Sequence, residues 1–74
     1  MNNGFWNQIK GNFKQVTGEI QEQWGKLSND EIDEMNGERD QLVGKIQERY
    51  GIAQEEAERQ VEEWAANVKD KING

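Results

Sequence analysis

Gln15-Val-Thr-Gly-Glu-Ile-Gln-Glu-Gln-Trp-Gly25 and Gln41-Leu-Val-Gly-Lys-Ile-Gln-Glu-Arg-Tyr-Gly51 are two versions of one segment, 26 residues apart and identical at six of eleven positions. The differences keep their character: Val16 answers Leu42, Trp24 answers Tyr50, and the polar Glu19 and Gln23 answer Lys45 and Arg49. Both copies end on an aromatic residue and a glycine, the pattern of a helix that stops at a left-handed C′ residue. The chain therefore reads as one helix-glycine-turn-helix hairpin present twice, over about residues 5–36 and 37–72 of a single domain, 1–74. A lone hairpin leaves one apolar face uncovered. The two copies are expected to pack face to face as an all-α fold of four short helices.

Working outward, Trp6, Ile9, Phe13, Val16, Ile20 and Trp24 recur at spacings of three and four and predict one amphipathic helix over roughly residues 5–24, ended by Gly25. Leu27-Ser28-Asn29-Asp30-Glu31-Ile32 is a complete helix start, with Ser28 as the cap, Glu31 reaching back to it and Leu27 stapled to Ile32. The helix it opens is short, about 29–35, because Asn36-Gly37 favours a turn. An unbroken helix is the alternative, since Met35, Leu42, Ile46 and Tyr50 share one face across Gly37; the break is preferred. Gly51 ends the third helix, and the fourth runs on Ala57, Val61, Trp64, Val68 and Ile72, with Ala53 where the first hairpin has its capping serine.

Composition narrows the functional classes. The 74 residues contain no His and no Cys, so disulfides, thiol nucleophiles, zinc sites and the usual neutral-pH proton shuttle are not expected. Nine basic against fifteen acidic residues give a net charge of -6, which repels nucleic acid and anionic membranes as a whole. Leu, Ile, Val and Phe number only 14, at the border of intrinsic disorder, but three Trp, one Tyr and two Phe supply large apolar areas and favour a folded, marginal domain. With no long apolar run and no charged leader before one, a cytoplasmic location is expected.

Glycines fall every seventh residue, at 4, 11, 18 and 25 and again at 37, 44 and 51. On an ideal helix Gly11 and Gly18 project opposite the Ile9-Phe13-Val16-Ile20 stripe, and Gly44 lies opposite Leu42 and Ile46. Each interior glycine costs a helix roughly 0.5–1 kcal/mol against alanine. These three either admit a partner that approaches closely, hold the helices weak, or are relics of the repeat.

The heptad glycines, the duplicated Gly-x-Ile-Gln-Glu-x-aromatic-Gly and the segment Asp40-Gln41-Leu42-Val43-Gly44-Lys45-Ile46-Gln47-Glu48-Arg49-Tyr50-Gly51 resemble the bacterial CsbD-like family over nearly the whole chain. The resemblance implies a small cytoplasmic protein associated with general stress responses, with two hairpins in a SAM-like or helix-hairpin-helix-like bundle. It brings no catalytic or ligand-binding motif to place on these residues. The strongly hydrophilic composition, with a mean hydropathy of -1.16, is also similar to that of the hydrophilins.

Sharper motifs fail on inspection. Gly37 to Lys45 has six residues between its glycines where a phosphate loop needs four, and Ile46 stands in the magnesium-binding Ser/Thr place. Asp30, Glu31, Asp33, Glu34 and Glu38 lack the alternating register of a calcium loop and suit a helix N-terminus instead. Thr17 has no base near it in sequence. No catalytic residue, cofactor, metal or small-molecule substrate is expected. What remains is a non-enzymatic protective or protein-interaction domain, with Gly11, Gly18 and Gly44 as a candidate face for a partner or a second copy. A weaker anion contact is offered by Lys10 and Lys14, the only charged residues in the first eighteen.

Overall fold

The computed structural model describes residues 3–73, with side chains described for residues 5–70. Those residues form no strand and five helices where the sequence predicts four: α1 (Asn3–Gly11), α2 (Phe13–Gln23), α3 (Asn29–Glu34), α4 (Arg39–Tyr50) and α5 (Gln54–Asn73). The predicted first helix is divided at Asn12, whose φ of -116° and ψ of 34° leave the helical region. Its N–H is shared between the carbonyls of Gln8 (3.0 Å) and Ile9 (3.2 Å), and its side-chain Nδ2 donates to Gln8 O (3.2 Å). Gly11 and Asn12 are adjacent weak helix formers, and the backbone bends there so that α1 folds onto the bundle.

Gly25 is not the left-handed cap that the repeat predicts. The chain leaves α2 through Trp24, at φ -124° and ψ 82°, and Leu27 N–H then closes a turn on Trp24 O (3.1 Å). Positive φ occurs instead at Asn36 (55°), Gly37 (74°) and Gly51 (63°). Trp24 has already left the helical region with its indole buried in the core, and Gly25 makes no left-handed reversal. Gly51 does end α4 as a left-handed cap, its N–H donating to Gln47 O (2.9 Å).

The other boundaries follow local chemistry. Ser28 Oγ accepts from Glu31 N–H (3.2 Å) and Glu31 Oε1 accepts from Ser28 N–H (3.1 Å), a reciprocal capping box on α3. α3 and α4 are separate, because Glu38 N–H returns to Met35 O (3.0 Å) around the left-handed Asn36-Gly37 pair. α5 starts without a serine cap, Ala57 N–H donating to Ala53 O (3.0 Å).

α4 packs along α5, and α2 packs on α3. One apolar core joins them: Ile9 from α1, Val16 and Ile20 from α2, Ile32 from α3, Leu42 and Ile46 from α4, Val61 and Trp64 from α5 are all buried. Leu27 and Ile32, the predicted staple, both lie in it, and no polar or charged residue is buried among the described side chains. The helical stripe places Trp6 and Phe13 in the core, but both are half-buried at its margin, while Phe5 is buried. Ile72, the last stripe residue, lies outside the described side chains.

Candidate functional site

Aromatic rings run from the core to the surface. Trp24 packs on Trp64 at 5.6 Å between centroids, Trp64 on Trp6 at 6.2 Å, and Trp6 meets Phe5 edge-on at 5.4 Å. Trp24 Nε1 donates to Gln60 Oε1 (3.1 Å), and Gln60 Nε2 donates to Glu56 (2.9 Å). Trp64 Nε1 is buried without a hydrogen-bond partner. Tyr50, the repeat counterpart of Trp24, is only half-buried: its hydroxyl accepts from Lys26 N–H (3.2 Å), and Lys26 Nζ lies 5.1 Å from the ring centroid. A phenol keeps its polar end where a donor can reach it.

The rings reach the surface in an open groove of about 1070 Å³ between α1, the start of α4 and the middle of α5. Phe5, Trp6, Val61 and Ala65 supply its apolar wall, and Lys10, Arg39 and Lys69 its cations. Arg39 is engaged by Glu62 (3.4 Å) and Asp40 (3.6 Å). Lys10 and Lys69 have no ion pair among the described residues. Gly37 is buried at the edge of this groove, where a Cβ would stand 3.1 Å from Lys10 Cγ and 3.3 Å from Lys10 Cα.

The sequence-derived candidates are not gathered here. Gly11, Gly18 and Gly44 are exposed, and a Cβ on any of them meets nothing within 4 Å. Gly11 ends α1 whereas Gly18 lies in α2, so the bend at Asn12 interrupts the face that a straight helix would give them. Lys10 lines the groove; Lys14 is exposed on the first turn of α2. Thr17 Oγ1 donates to Phe13 O (2.8 Å), a local helix bond. The groove itself escaped sequence reasoning because its walls come from residues 5–10, 37–40 and 61–69, and no motif links them.

The ionisable groups with displaced protonation are structural. Glu31, with a side chain only 12% exposed, accepts from Arg49 Nε (2.6 Å) and from Arg49 Nη2 across α3 and α4. The Arg49 hydrogen bond, helped by the Ser28 N–H, holds the Glu31 carboxyl below the usual carboxylate range. Hydrogen bonding to Arg59, then Gln60, lowers Glu56 in the same sense. A lowered carboxylate stabilises the fold above its unfolded pKa of about 4.3 and loses that contribution as pH falls through its folded value. Glu31→Gln should therefore melt below the wild type at pH 7, and the gap should close below about pH 4; thermal melts of both proteins across pH 3–7 check this. Among the described residues no three His, Cys, Asp or Glu side chains are grouped to hold a metal ion, and no helix is long and apolar enough to cross a membrane.

Fold and surface together define a small acidic helical domain held by aromatic packing and surface ion pairs. A model of the CsbD-like family matches residues 7–59, and the chain belongs to that family, a general-stress-response family whose biochemical function is not known. A UPF0337 protein of Mesorhizobium japonicum is 59% identical over 59 residues, covering 80% of this chain and 88% of the relative. One from Rhizobium meliloti is 58% identical over the same length, covering 80% and 86%. A third, from Rhodopseudomonas palustris, is 47% identical over 64 residues, covering 86% and 97%.

Proposed function

We propose that this chain is a non-enzymatic protein of the stress response that protects through its own hydrophilic, weakly held helices. The observation that carries the reading is that Gly11, Gly18 and Gly44 stand in open space. No internal packing explains them, and the two inside helices, Gly18 and Gly44, lower helix stability by roughly 0.5–1 kcal/mol each. Helices held this weakly respond to water activity, because osmolytes excluded from the protein surface favour the compact state. The acidic surface, with a net charge of -6, keeps the loosened chain soluble.

The competing reading is a binding module that docks a helix or another copy on the Gly11/Gly18 face, or nucleic acid on Lys10 and Lys14. It has less support: the glycines sit on different helices, and two lysines neutralise too few phosphates. An ancestral duplication into two hairpins, with a SAM-like or helix-hairpin-helix-like arrangement, is supported by the repeated segment and by Ile20 and Ile46 being buried at equivalent places.

The test is recovery of a drying-sensitive reporter enzyme dried alone, with this protein, or with a Gly11→Ala/Gly18→Ala/Gly44→Ala variant. The wild type should preserve more activity than the stiffened variant. Equal protection by both would remove the role of the weak helices; no protection by the wild type would remove the protective reading itself.

A further inference from the structure

The apolar pattern of the first 24 residues and their folded path differ. Trp6, Ile9, Phe13, Val16, Ile20 and Trp24 form one continuous stripe on a straight helix, but the chain bends at Asn12 and leaves Trp6 and Phe13 half-buried. Asn12 precedes α2 without a side-chain capping bond. In a continuous helix the Phe13 and Lys14 N–H groups would instead donate to the Ile9 and Lys10 carbonyls. No proline forbids that helix. The bent form is held from outside the segment: Phe5 and Ile9 enter the core, Trp6 packs on Trp64, and Lys10 covers Gly37.

We infer that α1 is an exchangeable element, and that this protein forms a dimer in which α1 and α2 straighten into one helix and each copy's α1 docks in the other's α1 site. The occupant is fixed by what the site selects. Beside Gly37 there is room for the Lys10 backbone and little more, and Trp64 presents a ring to Trp6; a second copy supplies both groups in register. Exchange restores every contact that α1 makes in the monomer and changes only the junction, which is the condition for swapping an element between identical chains. The straightened helix over residues 3–23 would be about 30 Å long, and it sets Trp6 and Phe13 on one unbroken stripe with Ile9, Val16 and Ile20. Exchange of α1 is independent of the protective role: it concerns how the chain associates, not what it preserves.

Analytical ultracentrifugation from micromolar to millimolar protein tests it on the wild type, Asn12→Ala and Asn12→Gly. Alanine removes the Gln8 bond and favours the straight helix at two junctions per dimer, so the dimerisation constant should rise about tenfold. Glycine should lower it. To identify exchange, Lys10→Cys and Glu38→Cys, both in the groove wall, are combined with Asn12→Ala and joined by a short bifunctional maleimide. Cross-links between chains in the isolated dimer fraction support the exchange. Cross-links only within chains there, or an Asn12→Ala protein that stays monomeric throughout, overturn it.

Discussion

Gly37→Val is expected to lower the melting temperature by about 10–25 °C, a large loss for one added side chain. Gly37 has φ 74°, a conformation that costs an L-residue about 1–2 kcal/mol and a β-branched one more. A side chain there also meets Lys10, with Cα at 3.3 Å from the first added carbon. That neighbour is backbone and cannot rotate away. Strain and overpacking together should remove about 2–4 kcal/mol from a domain whose stability is on the order of 5 kcal/mol. Circular dichroism melts measure it, and a variant melting within a few degrees of the wild type would show that α1 does not press on this turn. Because the contact is with α1, limited proteolysis should cut Gly37→Val first near Gly11 and Asn12.

Replacing Gly11, Gly18 and Gly44 together with alanine should do the opposite, raising stability by about 1–2 kcal/mol and the melting temperature by about 5–15 °C, mostly through Gly18 and Gly44 inside α2 and α4. None of the three has a positive φ, and none has an atom within 4 Å of the added carbon. The gain comes from the reduced backbone freedom of the unfolded chain and from better helix propensity, with no new tertiary contact. The sites are far enough apart in sequence, and exposed enough, for their effects to add. No rise would sink the argument that these glycines hold the helices weak.

Glycines 37 and 44 thus respond with opposite signs although both belong to one heptad series; what separates them is that Gly37 takes a left-handed turn and has α1 lying on it, whereas Gly44 sits inside a helix and faces solvent. The capping box at Ser28, the left-handed Gly51 and the break after Met35 were legible because each depends on residues within one turn of chain. Gly25 misled because the path of Trp24 into the core, not the glycine, ends α2. The division of the first helix had a local signal, the adjacent Gly11 and Asn12, but the unbroken apolar stripe outweighed it. The groove between Trp6, Arg39 and Lys69 had no signal at all.

By itself, then, the sequence determined an all-helical domain, most of its helix ends and the identity of nearly all core residues, since helical period and capping are set by neighbours three and four positions apart. Only the tertiary structure decided where the first helix bends, which glycine packs against another helix and which aromatic residues reach the surface. Those depend on which distant segments touch: one side chain's fit against another helix can outweigh the fraction of a kilocalorie per residue by which local preferences differ.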